Sequence, residues 1–198
     1  DLEATKDENA PKKDISLEDA LKLCHYAESI FEQMKSQPSK KKNKIDLDQE
    51  EINSIVEYLY SARQIFEKNP DQSIFPIESY IDTFEILGQV GLFVNKFALA
   101  EKEFESGYKK AIENHCSWRI CLSLLFNKAI ALENQEKPKQ AIEVIEDGLK
   151  IIDEEIKKGP TEDQAELLNE FGADLRKKID ELNEDLKEQE ENKDISES

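Results

Sequence analysis

Two histidines and three cysteines are the side chains of this 198-residue sequence best suited to metal ligation or nucleophilic attack, and their spacing favours neither. His115, Cys116 and Cys121 straddle the start of one expected helix, while Cys24 and His25 stand far away in the chain. Neither a CxxC pair nor histidines at zinc-ligand spacing accompany them. An odd set of unpaired thiols fits a reducing compartment, where buried cysteines serve as small hydrophobes. Gly88 and Gly91 do not form a phosphate cradle, because the segment around them is periodic helix rather than strand, turn and helix. With no nucleophile beside a base, we expect no catalytic residues, no cofactor and no metal.

The remaining chemistry is that of carboxylates. The chain carries 45 acidic against 27 basic residues, a formal charge of −18, and half of that excess lies in residues 161–198, which hold 14 acidic and 5 basic side chains. Such a balance repels nucleic acid, and it either keeps a protein soluble or draws a basic partner from a distance. No apolar run approaches the ~18 residues of a membrane span. The absence of an initiator Met, of a signal-peptide core and of an N-x-S/T sequon suggests a piece of a larger intracellular protein.

These residues must be positioned by helices, for the chain holds only 6 Gly and 6 Pro beside abundant Glu, Lys, Leu and Ile. Residues 1–15 are charged and aperiodic, so a disordered acidic lead-in is expected. Ser16 can cap a first helix with Leu17, Ala20, Leu21, Cys24, Ala27, Ile30 and Phe31 on one stripe. A lysine-rich loop at 36–45 separates it from a second, expected to start behind Asp48 as its N-cap and to stop at Asn69-Pro70. AESIF at 27–31 and ARQIF at 62–66 close these two helices alike. Pro76 suits the start of a third, VNK makes a short turn after Phe93, and a fourth carries Phe97, Ala100, Phe104, Tyr108 and Ala111. A further pair is expected at 118–132 and 141–156, with Pro138 near the later start. Six helices thus form three antiparallel hairpins over 16–158. Gly159-Pro160 ends them, and Thr161 with Gln164 has the capping-box pattern that opens a last helix over 161–192, with a disordered tail at 193–198. Its narrow seam of Leu168, Phe171, Leu175, Ile179, Leu182 and Leu186 suits a capping helix, which shields the end of a stacked array.

Small residues at Gly88, Ala100 and Gly107, with Phe84, Leu87 and Phe104 as the large partners, let two helices approach closely, and the pattern resembles a tetratricopeptide repeat. Ala129, Ala141 and Gly148, with Leu125 and Ile145, repeat it less faithfully: Lys128 stands where the motif prefers Leu, Leu132 where it prefers an aromatic, and Pro138 where it often has Tyr. Ala100 to Ala141 spans 41 residues, longer than the ~34 of an ordinary repeat. The stretch from ARQIF through FEILGQVGLFVNKFALAEKEFESGYKKAI, the elongated junction, FNKAIALENQEKPKQAIEVIEDGLKIIDEEI and a charged final helix resembles the nuclear autoantigenic sperm protein family of histone chaperones over roughly residues 47–192. The resemblance implies an all-α superhelix of tetratricopeptide-like hairpins and binding of the histone-three/histone-four pair, chiefly through histone three, in a nuclear protein with a cytoplasmic pool. It also implies an acidic insert that is not evident here, with a first repeat upstream of Asp1, and Lys40, Lys41, Lys42 and Lys44 are a departure from the family pattern. Those lysines read either as an import signal or as a basic loop between helices.

In a stacked array the first helix of each hairpin lines the concave face. The positions outside the packing motif are Asp82, Glu85, Gln89, Leu92 and Phe93, then Ser123, Phe126, Ile130 and Glu133. Their carboxylates suit lysine and arginine of a histone and their apolar members suit its hydrophobic side chains, whereas each glutamate taken singly is also an ordinary solvated position. Glu181, Glu184, Asp185 and Glu188 offer a further acidic surface on the last helix. The competing expectation is an adaptor that holds a peptide of another protein; for an acidic tail peptide only Asn127 and Lys128 are partial candidates. Homodimerisation through the final seam is a third, with docking inside the molecule preferred.

Overall fold

The computed structural model describes residues 17–36, 45–69 and 76–196, with the backbone alone described at 45–48 and 188–196. Among these residues the protein is all-helical: α1 (Leu17–Ser36), α2 (Ile45–Lys68), α3 (Ile77–Phe93), α4 (Phe97–Glu113), α5 (Trp118–Glu133), α6 (Pro138–Lys157) and α7 (Glu162–Ser196). Successive helices pack as antiparallel hairpins, α1 with α2, α3 with α4 and α5 with α6, and α7 lies against α6. Several boundaries differ from expectation, α6 among them, which starts at Pro138 and not at 141. The second helix begins at Ile45, so Asp48 lies inside its first turn instead of capping it, and the last helix continues past 192 to Ser196. The first helix takes in Ser36, which shortens the lysine-rich loop; Lys40, Lys41, Lys42 and Lys44 lie outside the described residues, as do the lead-in at 1–15 and Ser16.

The same turn closes three consecutive helices. After α3 the N–H of Lys96 donates to the Gly91 carbonyl (2.7 Å) and that of Asn95 to Leu92 (3.1 Å). After α4 Cys116 donates to Ala111 (2.9 Å) and His115 to Ile112 (3.1 Å), and after α5 Lys137 donates to Leu132 (3.0 Å) and Glu136 to Glu133 (2.9 Å). Asn95, His115 and Glu136 each hold a left-handed φ, of 59°, 54° and 59°. This paired bonding satisfies the last carbonyls of each helix and reverses the chain in a fixed direction. His115 is therefore a turn residue. Thr161 opens α7 as its neighbours suggest, its N–H donating to Gln164 Oε1 at 3.3 Å.

Between α3 and α4 the small positions receive the large ones reciprocally. A methyl group on Gly88 would sit 2.4 Å from the Phe104 ring, and one on Gly107 would sit 2.9 Å from Phe84 Cβ. Phe104 and Phe84 are buried where they fill those hollows. Gly148 of α6 likewise makes room for Leu175 of α7, where an added methyl would meet Leu175 Cδ1 at 3.3 Å. Leu168, Leu175 and Leu182 are buried against α6 in one core with Ile145 and Ile152, so the seam of α7 docks within the molecule.

One polar cluster sits inside this packing. Arg63 of α2 and Glu103 of α4 pair at 2.8 Å with side chains only 11% and 7% exposed. Arg63 Nε also donates to Thr83 Oγ1 (3.2 Å), Thr83 donates to the Tyr80 carbonyl (2.7 Å), and the guanidinium lies 3.6 Å from the centre of the Phe84 ring. Tyr60 donates to the second carboxylate oxygen of Glu103 at 3.4 Å. Every charge here has a partner, which is the condition under which an interior ion pair is tolerated.

Candidate binding face on the odd-numbered helices

Helices α1, α3 and α5 are the first members of the three hairpins and touch in series, and α7 follows them beside α5 across a cleft. Asp82, Glu85 and Gln89 recur at helical spacing on α3 and all line a cavity of about 290 Å³ between α1 and α3. The opposite wall is supplied by α1, with Leu21, Cys24 and Phe31 forming its apolar part and His25, Glu28, Glu32 and Lys35 its polar part. Lys35 is engaged: its ammonium pairs with Glu32 at 2.5 Å and lies over the Phe31 ring. His25 stands 3.9 Å from Glu28. Glu85 accepts a hydrogen bond from the Ser123 hydroxyl of α5 at 2.6 Å, a neutral donor that leaves its charge in place. Glu28, Asp82 and Glu85 are thus gathered without a lysine or arginine ion pair among the described residues.

That crowding is visible in protonation. Loss of hydration in the cavity mouth, followed by the charges of Glu85, Glu28 and Glu78, pushes the Asp82 carboxyl up to about 6, and only His25 opposes the shift. The side chain retains solvent access, so the dehydration that leads the shift is that of a partly dry rim, and the neighbouring like charges add to it. Deeper in the same cavity, burial holds the Cys24 thiol neutral with its pKa raised to about 12. A neutral thiol is an inert wall.

Farther along the face the character reverses. Trp118, Leu122 and Phe126 of α5 and Phe171 and Leu175 of α7 line a largely apolar cleft of about 320 Å³, with Arg119, Ser123 and Asp174 at its margin. Trp118 and Phe171 meet edge to face at 5.9 Å, and the Arg119 guanidinium lies over the indole at 4.6 Å. Phe126 and Phe171 remain 40% and 41% exposed, well above what a packed aromatic shows, and so give the cleft an open apolar mouth.

Of the residues singled out by spacing, Asp82, Glu85 and Gln89 share the cavity, Phe126 and Ser123 reach the cleft, and Phe93 is exposed against Phe31 at 5.9 Å. Ile130 is half-buried. Two assignments are corrected. Leu92 is half-buried and packs onto the core that contains Ala100 and Phe104, so it is not a free groove residue. Glu133 is held by Lys178 of α7 at 2.8 Å and fastens the final helix instead of facing the groove freely. On α7 Glu181 lies 3.8 Å from both Lys177 and Lys178, Glu184 and Asp185 are exposed, and the Glu188 side chain lies outside the described residues. Asn127 donates to the Ser123 carbonyl at 3.0 Å and Lys128 pairs with Glu105, so the partial candidates for an acidic-peptide clamp are engaged.

Sequence reasoning missed the whole wall supplied by α1. The signal was present, since the rule that first helices line the concave face applies equally to the first hairpin and points to His25, Glu28 and Glu32. It also missed the Trp118–Phe171 contact, which pairs residues 53 positions apart in the chain. No protein-family model matches this chain, and no curated protein matches it.

Proposed function

We propose that this protein is a helical-repeat histone chaperone that binds the histone-three/histone-four pair, chiefly histone three, through the shared face of its odd-numbered helices. The observation that carries the proposal is the cavity rimmed by Glu28, Asp82 and Glu85, which form no ion pair with lysine or arginine among the described residues, set beside an open apolar cleft. A basic, aggregation-prone protein needs both features in a carrier: carboxylates that neutralise lysine and arginine, and apolar surface that occupies what would otherwise aggregate. The sequence pattern from ARQIF through the charged final helix, which resembles the nuclear autoantigenic sperm protein family, supplies the identity of the basic partner and the expectation of a nuclear protein. The tetratricopeptide-like small and large positions at Gly88, Ala100, Gly107, Phe84 and Phe104 belong to the same reading. In this role the protein is a non-enzymatic binder that shields histones and delivers them to chromatin assembly.

The test is a fluorescence titration of the purified chain with the histone-three/histone-four pair and, separately, with the histone-two pair across a salt series. Tight binding that prefers the first pair and survives moderate salt is expected, because the apolar cleft contributes a component that salt does not screen. Equal, weak binding to both pairs that vanishes with salt would contradict the proposal.

A further inference from the structure

The two halves of the binding face differ so strongly in character that they prescribe a direction. At the α1–α3 end three carboxylates have no lysine or arginine ion pair among the described residues, Glu28 facing only His25 at 3.9 Å, and the one lining lysine, Lys35, is tied to Glu32. At the α5–α7 end the lining is mostly aromatic and aliphatic, and its one cation, Arg119 on the Trp118 ring, offsets its one carboxylate, Asp174, so this end has no excess of negative charge to draw a basic group. The bond from Ser123 to Glu85 joins the two regions through α3 and α5, so that one segment laid across the face meets both.

We propose, building on the histone-binding reading, that the face holds one polypeptide segment of its partner in a single orientation: a lysine- or arginine-bearing end enters the cavity between α1 and α3, and an aromatic or aliphatic anchor fills the cleft between α5 and α7. The occupant is fixed by charge complementarity at one end and by apolar surface at the other. A primary ammonium on its aliphatic stem matches a cavity with Leu21, Cys24 and Phe31 inside and carboxylates at the rim. Two helix-to-helix steps separate the sites, roughly 20 Å at the usual interaxial spacing of close-packed helices. An extended segment covers that span in about six residues. The reverse orientation places cations in a largely apolar cleft where Arg119 offsets Asp174, and apolar groups among carboxylates, and both placements are less favourable.

The chain holds a single tryptophan, and it sits in the apolar cleft. Its fluorescence therefore reports which end of a ligand arrives there. The probe is a synthetic peptide with lysines at one end and phenylalanine and leucine at the other, about six residues apart in extended form, carrying a short-range nitroxide quencher at either terminus. The label at the apolar end is expected to quench Trp118 several-fold more than the label at the basic end. The double variant Glu28→Gln with Asp82→Asn is expected to weaken peptide binding about tenfold and to flatten its salt dependence, while quenching by the apolar-end label at saturation is unchanged. Equal quenching from both ends, stronger quenching from the basic end, or no binding of the peptide overturns the inference. Because the peptide contains no histone sequence, the two claims fail separately. Oriented peptide binding without histone binding sinks the histone reading alone, and histone binding with undirected peptide binding sinks this inference alone.

Discussion

Asp82 and Thr83 are neighbours on one helix, and they face opposite kinds of electrostatic environment. Thr83 belongs to the interior cluster in which Glu103 is matched by Arg63 at 2.8 Å and every polar group has a partner. Asp82 lines the α1–α3 cavity, where loss of hydration, followed by the charges of Glu85, Glu28 and nearby Glu78, pushes its carboxyl up to about 6. The difference separates two uses of the same functional group. A carboxylate with a buried cation holds helices together, and carboxylates crowded without one destabilise the empty protein slightly and await a cation from outside. The −18 charge says nothing about which is which; only the neighbours brought by the fold do.

The interior cluster gives the largest expected effect. Glu103→Ala leaves Arg63 buried beside Thr83 and Phe84 without a counter-charge, and should cost about 3–5 kcal/mol in urea unfolding. Replacing both partners by apolar residues, Arg63→Met with Glu103→Leu, should recover most of that loss; a double variant as unstable as the single one would mean that the packing, not the lost counter-charge, is responsible. Glu133 sharpens the comparison from the other side, since it is a groove carboxylate by position but an ion-pair partner by contact. Glu133→Gln should loosen α7 by about 0.5–1 kcal/mol, seen as faster amide exchange in the last helix, because a half-exposed pair contributes little. Its effect on histone affinity should stay within about twofold, and a loss as large as that from Asp82 would show that Lys178 does not engage it in solution.

The smallest effect has the opposite sign. The Asp82 pKa is raised in the folded protein, from 3.8 to about 6, so the native state holds that proton more tightly than the unfolded chain does. Stability therefore falls as pH rises through that interval, and the cost is fully present above about pH 6. Asp82→Asn removes it. The variant should unfold at a slightly higher temperature than the parent near neutral pH, by less than about 1 kcal/mol given the solvent access of the side chain, and at the same temperature below about pH 4. A variant less stable than the parent at neutral pH would show that Asp82 is held by an attractive contact.

Much of this organisation was legible in the chain itself. Helix periodicity, Pro76 and Pro138 near helix starts, and small residues facing Phe84 and Phe104 translate directly into hairpins, because each depends on residues close in sequence or on the volume of one side chain. Asp82, Glu85 and Gln89 could be placed together for the same reason, as neighbours on one helix face. What could not be read was pairing across the fold. Whether Glu133 is free depends on Lys178, and the α1 wall that dries Asp82 and adds the charge of Glu28 to that of Glu85 comes, like Lys178, from more than forty residues away in the chain. Leu92 was placed in the groove because helical spacing fixes a face only to within about a hundred degrees, and a residue at the edge of that face can pack onto the core, as Leu92 does.

The most direct test of the account compares the parent protein with the variant Glu28→Gln, Asp82→Asn, Glu85→Gln, titrated with the histone-three/histone-four pair over a salt series. The three substitutions keep shape, and Gln at 85 can still accept the Ser123 hydrogen bond. The account predicts a folded variant of equal or greater stability that binds about tenfold more weakly, or worse, at low salt, with a shallower salt dependence and with its Trp118 response at saturation retained. A folded variant that binds the histone pair as tightly as the parent, with an unchanged salt slope, would contradict it.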